Sequence, residues 1–332
     1  VRLAAHGPLA LFAGALLQLA PGPAQRRVQG GIGQGGEVIG HLLDRDQAFD
    51  VTHQGAEHLG MVRAAQGTGM AITVLPSLYA YANFGEVALE SGQRRFATTP
   101  DMILAMLHDI RTAFPGNGDL RLGVAPHSLR AVSPAMLRDL LAGLDVIDPF
   151  APVHIHVAEQ VKEVNDCLSW GDQRPVQWLL ENMPVNSRWC LVHCTHVSMT
   201  EAEHLARSGA VTGMCPTTEG NLGDGIFPFL RYREKGGRFG IGSDSNVCRS
   251  PTEELRWLEY LQRLTLRRRN VTATPDKPSV GTNLWTGAAR GGGQALGRRM
   301  GAIEAGLKPS VERAGAKRAF VVCSPSVSRG TW

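Results

Sequence analysis

The sequence predicts an α/β protein whose parallel strands wind into a barrel. Three observations carry this. Short apolar runs alternate with helical periodicity from about residue 50 to about residue 306. The alternation repeats without a Gly-x-Gly-x-x-Gly turn of the kind that marks a dinucleotide-binding sheet. Polar residues capable of chemistry fall where the apolar runs end, and in a parallel barrel those ends converge on one rim.

The strands are expected at Ala71–Pro76, Leu120–Ala125, Val153–Val157, Cys190–His193, Ala210–Met214 and Phe239–Gly242, each a short apolar run ending in polar or Gly-rich sequence. Amphipathic helices are expected between and beside them, at Gly55–Gln66, Pro100–Ala113, Pro134–Leu144, Glu159–Ser169, Pro175–Asn182, Thr200–Ser208 and Thr252–Leu266. Residues 1–50 are rich in Gly, Ala and Gln, and residues 307–332 run through Pro, Ser and Gly without clear periodicity. The organisation is therefore read as an atypical segment 1–50, a barrel segment 51–306 and an atypical segment 307–332.

With 332 residues, 43% of them hydrophobic and 19% charged, the chain can bury a large core. The formal charge of +4 is small, and the Arg runs Arg26-Arg27, Arg267-Arg268-Arg269 and Arg298-Arg299 carry no interleaved aromatics, so no nucleic-acid partner is expected. Six cysteines without a CxxC pair are expected to be reduced thiols of a cytoplasmic protein. The stretch Leu3–Ala20, preceded by one Arg and interrupted by Gly and Pro, is not expected to direct export. No other run approaches the roughly 20 apolar residues that span a bilayer, so no membrane partner is expected.

The chemistry lies at the strand ends. In Val153-His154-Ile155-His156-Val157-Ala158-Glu159, strand alternation puts His154 and His156 on one side. Neutral imidazole suits zinc or iron, and a carboxylate three residues beyond a ligand can reach the attacking water. Leu191-Val192-His193 delivers a histidine to the next strand end, while His196 is expected at the surface. Phe239-Gly240-Ile241-Gly242-Ser243-Asp244 ends in a carboxylate that can ligate a metal with one oxygen and accept a proton with the other. Tyr79 and His127 stand at two earlier strand ends, and Arg130 just beyond the second offers a fork suited to carboxylate.

These motifs, with Leu75-Pro76-Ser77-Leu78-Tyr79, Gly92-Gln93-Arg94-Arg95-Phe96, Ala125-Pro126-His127-Ser128-Leu129-Arg130 and the run from Cys215 to Gly225, resemble the amidohydrolase superfamily, and within it the formimidoylglutamate deiminases of histidine degradation. The resemblance covers about residues 51–306. It implies a distorted (β/α)8 barrel with a small β-domain built from both chain ends, and one divalent metal, zinc or alternatively iron. It implies His156 and Asp244 as metal ligands, and Glu159, His193 and Asp244 as catalytic groups, with His193 contacting the reacting water. Tyr79, His127 and Arg130 would hold the glutamate-derived part of a small-molecule substrate. A homodimer is an assembly compatible with this reading.

The sequence departs from the family at both ends. The family's first barrel strand ends in a His-x-His pair, whereas the only such pair here is His154-x-His156, and His6 and His41 stand alone. The first strand and the small β-domain are therefore expected to be incomplete, as if both ends were read from a shifted frame, leaving two of the usual metal ligands absent. Two rival expectations follow: another amidohydrolase deaminase, acting on guanine, a pterin or an aminated triazine, or a remnant without turnover.

Overall fold

The computed structural model describes residues 51–244, 246 and 249–302. The expectations placed on residues 1–50 and 307–332, including Leu3–Ala20, the first strand and the small β-domain, lie outside these residues. In chain order the elements are α1 (Val51–Thr68), β1 (Ile72–Val74), β2 (Ser77–Leu78), a 3-10 turn (Arg94–Phe96), α2 (Pro100–Ala113), β3 (Leu120–Leu122), β4 (Ala125–Pro126) and α3 (Pro134–Ile147). There follow β5 (Val153–Val157), α4 (Val161–Gly171), α5 (Pro175–Asn182), β6 (Trp189–His193), α6 (Met199–Ser208), β7 (Val211–Met214), α7 (Pro216–Leu222), α8 (Phe229–Glu234), β8 (Arg238–Ile241), α9 (Pro251–Leu266) and α10 (Val280–Ala295).

The strands pair in parallel, β1 with β3, β2 with β4, and β5-β6-β7-β8 in sequence order. Parallel bridges Val124–Val153 and Ser128–His156 carry the pairing from β3 and β4 into β5. This is the sequential winding of a barrel-type α/β fold. The first two expected strands are each shortened to three residues, β1 and β3, and each is followed by a two-residue strand, β2 beyond the expected bounds and β4 at their edge. Pro76 has no N–H to donate, though its carbonyl still accepts the Ala125 N–H at 2.9 Å. Opposite it, Gly123 lets the start of β5 come close, since a Cβ there would lie 2.2 Å from the Pro152 carbonyl oxygen.

The helices start where their caps dictate. Thr99, Ser133, Ser250 and Ser279 each accept a backbone N–H three residues on, and Pro occupies the first turn after the first three of them. Ser198 and Glu201 form a reciprocal capping box on α6. Along β5, Val153, Ile155 and Val157 join the main core beneath the helices, with Leu137, Leu140 and Leu179. The opposite face carries His154 and His156, in register with Cys190 and Val192 of β6. Strand periodicity thus reserves one face for packing and the other for the site.

Three helices were not expected from sequence: α7, α8 and α10. Helix α10 contains Gly287, Gly291, Gly292 and Gly293, a composition of low helix propensity. Packing overrides propensity here, because the absent side chain lets the helix lie on β8: a Cβ on Gly291 would fall 1.9 Å from the Phe239 carbonyl oxygen. Beyond α10 the chain crosses the floor of the sheet. The Leu296 carbonyl accepts the Thr73 hydroxyl at 3.0 Å, and Arg298 donates to Thr73 and to the Ile72 and Asp119 carbonyls. Among the described residues no helix is long and apolar enough to cross a membrane.

Candidate active site

Three strand ends supply the central groups, and each turns sharply out of its strand. Ala158, His193 and Asp244 adopt φ of 51°, 68° and 47°, in the left-handed region that non-glycine residues rarely occupy. Strain of this kind, repeated at three strand ends of one sheet, is characteristic of sites that must aim side chains. His156, His193 and Asp244 each bring one potential ligand atom into a group whose members all lie within 4.8 Å of one another.

Hydrogen bonds fix the ring of His156. The His127 carbonyl accepts both the His156 backbone N–H at 3.0 Å and its Nδ1 at 2.9 Å, which leaves Nε2 for the cluster. The ring stacks on His193 with centroids 5.4 Å apart and an interplanar angle of 19°. His193 is fully buried, its Nδ1 3.3 Å from Glu219 Oε1 and its Nε2 3.7 Å from Glu159 Oε1 and 3.6 Å from Asp244 Oδ2. Among the described residues nothing within hydrogen-bonding distance satisfies that Nε2.

The electrostatics separate the two imidazoles. Burial alone would lower the pKa of His193, but the Glu219 hydrogen bond and the charges of Glu159, Glu219 and Asp244 overcome it and raise it to about 9. Burial lowers that of His156, and the neighbouring His193 charge lowers it further against the pull of Asp244, Glu159 and the His127 carbonyl. His127 is held well below the usual range by burial and by the charges of His156 and Arg130. Neutral His156 is thus a lone-pair donor. The carboxylates around His193 favour its proton, and a divalent cation held there would take that proton's place.

The remaining expected residues border this cluster. Tyr79 meets His127 edge-on at 4.9 Å, its hydroxyl accepts from Gln93 Nε2 at 3.0 Å, and burial raises its pKa. His127 lies 5.1 Å from His156, ring to ring, with Nδ1 3.1 Å from the Ser128 hydroxyl. A terminal nitrogen of Arg130 is 4.0 Å from Glu159 Oε2, and its buried Nε has no hydrogen bond among the described residues. Tyr79, His127, His156, His193, Glu159, Asp244 and Arg130 are therefore brought onto one rim.

Two histidines differ from expectation. His154 shares the face of His156 but lies below the rim, its Nε2 2.7 Å from the Ala295 carbonyl, and burial lowers its pKa to about 4. It pins α10 to β5. His196, expected at the surface, is half-buried against Gly225, and its Nε2 has no hydrogen-bond partner among the described residues. The reason is the left-handed pair His193-Cys194, which folds the loop back over the strand end. Sequence reasoning gave no role to Glu163 or Glu219, both 2% exposed. The only signal was a carboxylate a few residues beyond a strand end. Cys167, Cys190, Cys194 and Cys215 are buried and unbridged, and burial pushes the thiols of Cys167 and Cys190 up to about 12.

The donor set fits a divalent cation: two imidazoles and a carboxylate converge, and a buried imidazole nitrogen lacks any partner among the described residues. His193, expected only near the reacting water, joins His156 and Asp244 as a third donor. Three protein ligands are the number at which catalytic zinc sites leave a position open.

In a parallel α/β sheet of barrel type, a cluster on the rim at the C-terminal strand ends stands where barrel proteins build their sites. Residues 83–310 match the Amidohydrolase family, and the chain belongs to that family. It is 49% identical over 251 residues to formimidoylglutamate deiminase of Pseudomonas aeruginosa, covering 75% of this chain and 54% of that protein. It is 31% identical over 193 residues to 5-methylthioadenosine/S-adenosylhomocysteine deaminase of Halobacterium salinarum, covering 57% of this chain and 43% of that protein. Among solved structures, an amidohydrolase from Brucella melitensis superposes with a TM-score of 0.70 at 48% identity, over 74% of this chain and 53% of that chain. The chain thus spans about half the length of the relatives it matches.

Proposed function

We propose that the protein hydrolyses N-formimidoyl-L-glutamate to N-formyl-L-glutamate and ammonia. One observation carries this beyond the family: Arg130 stands 4.0 Å from Glu159 at the edge of the His156–His193–Asp244 cluster, so a cationic fork adjoins the reacting groups. A substrate with carboxylates at one end and an amidine at the other matches that polarity. The 49% identity to formimidoylglutamate deiminase supports the same substrate. Flat uncharged purines give Arg130 no partner.

In this reading Arg130, His127 and Tyr79 bind the glutamate carboxylates and set the formimidoyl carbon beside the cluster. His156, His193 and Asp244 would hold one divalent metal, zinc or alternatively iron. Bound there, the metal would act as a Lewis acid and bring water towards a pKa of about 7. Asp244 accepts the proton of the attacking water. Glu159 delivers a proton to the departing nitrogen, so one water is consumed and one ammonia leaves as the amidine becomes a formamide. The same reading takes residues 51–306 as the catalytic segment of a cytoplasmic enzyme, a homodimer being its simplest assembly.

The test is zinc content and ammonia release on the purified full chain. Near one zinc per chain with turnover of N-formimidoyl-L-glutamate, abolished by His156→Ala or Asp244→Asn, is the expected result. A folded, zinc-loaded chain that released ammonia only from 5-methylthioadenosine or guanine would replace the substrate. A folded chain that bound zinc or not, and turned over none of these, would leave a family member without catalysis.

A further inference from the structure

Glu219 lies in α7, immediately beyond β7, where it is 2% exposed. Its Oε1 accepts the Cys215 N–H at 3.0 Å, and the Cys215 carbonyl accepts the Glu219 N–H at 2.9 Å, so the carboxylate is fixed by the backbone independently of the site. The same oxygen is 3.3 Å from His193 Nδ1. The other ring nitrogen, Nε2, lies 3.7 Å from Glu159 and 3.6 Å from Asp244, beyond hydrogen-bonding reach of either. Only Nδ1 is tied down.

A buried imidazole with one tied nitrogen has its orientation and tautomer set from that side. His193 needs such a tie, because its backbone is left-handed and β6 alone does not determine where the ring points. Capping of Cys215 explains one of the bonds to Glu219 Oε1. It does not explain the imidazole on that same oxygen.

We infer that Glu219 is a positioning residue: its carboxylate accepts the His193 Nδ1–H and thereby presents Nε2 to the space shared with His156, Glu159 and Asp244. It acts through His193 and touches no reacting atom. The inference deepens the proposed function, resting on it only for the reaction that His193 serves. A carboxylate behind a ligating histidine raises the ring's basicity and limits its rotation, and removal of such a partner typically costs about 10- to 100-fold in metal affinity.

The experiment uses the full chain, labelled with 15N at histidine, with zinc ion as the probe. In the wild type the His193 Nδ1–H should exchange slowly with solvent. In Glu219→Leu that protection should vanish, and zinc should bind about 10- to 100-fold more weakly. Glu219→Gln keeps an acceptor for the Cys215 N–H and so the cap, but loses the charge; it should keep the wild-type unfolding midpoint and still bind zinc about tenfold more weakly. Unchanged Nδ1–H exchange in Glu219→Leu, or zinc affinity within about twofold of wild type in Glu219→Gln, would overturn the inference. If Glu219→Leu does not fold, the Glu219→Gln affinity decides; if the wild type takes up no zinc, exchange in the zinc-free chains decides. A wild type with the protected Nδ1–H that releases no ammonia from N-formimidoyl-L-glutamate defeats the deiminase reading and leaves the role of Glu219 standing.

Discussion

Glu163 clamps the backbone of Glu159: one carboxylate oxygen accepts the Glu159 N–H at 3.0 Å while the other accepts the N–H of Ala158, also at 3.0 Å. The clamp holds Ala158 at its φ of 51° and so directs Glu159 over the rim. Glu163 stands in the first turn of α4, so a residue that a sequence places in a helix start has the position of the proposed catalytic carboxylate in its keeping.

Glu163→Ala leaves the buried Ala158 N–H and the half-buried Glu159 N–H without that acceptor, at a cost of roughly 1–3 kcal/mol for the buried group and less for the other. Urea denaturation should show that loss. In conditions where the variant is fully folded, ammonia release should fall in kcat more than KM changes, since Glu159 is displaced while Arg130 is not. An unchanged kcat would show that the clamp supports the helix and not the site.

Glu254 links stability to pH. It is buried, and both oxygens accept from Thr217, one from the backbone N–H at 2.9 Å and one from the hydroxyl. Burial raises its pKa from 4.5 to about 7, the charges of Glu219 and Glu253 adding to burial and the Thr217 bonds opposing it. Between those values the folded state binds a proton that the unfolded state has lost. The contribution is complete below about pH 4.5 and is lost as pH rises through about 7, on the order of 3 kcal/mol. Glu254→Gln should flatten the pH dependence of urea stability across that window; an unaltered slope would mean that another group governs it.

Gly291→Ala should destabilise the protein although alanine favours helix by about 1 kcal/mol over glycine. The new Cβ would meet the Phe239 backbone at 1.9 Å, where nothing flexible can yield. Overpacking of this kind costs roughly 1–3 kcal/mol and occasionally more. A rise in the thermal midpoint would show that α10 does not seat on β8 as described.

Arg130→Met keeps much of the stem and removes the fork. If Arg130 receives a substrate carboxylate, kcat/KM for N-formimidoyl-L-glutamate should fall on the order of 100-fold, the size of one or two charge-assisted hydrogen bonds. Steady-state kinetics should place the loss chiefly in KM. Equal kinetics in the two proteins would free Arg130 of that role.

The barrel-type alternation was legible in the sequence because each strand run and each helical period reports burial of one face. The polar residues at strand ends were legible for the same reason: Tyr79, His127, His156, His193 and Asp244 interrupt or end apolar runs. Tertiary structure alone decided which of them converge and what stands behind them. It sent His154 to the Ala295 carbonyl and His156 to the rim, two residues that strand alternation cannot tell apart. It set Glu219 behind His193 and Glu163 behind Glu159, and it made a helix of the glycine-rich run around Gly291. Alternation fixes only the face on which a side chain emerges. Its height on that face, the left-handed turn that aims it and the carboxylate that ties it come from contacts between segments distant in the chain, which no local pattern records.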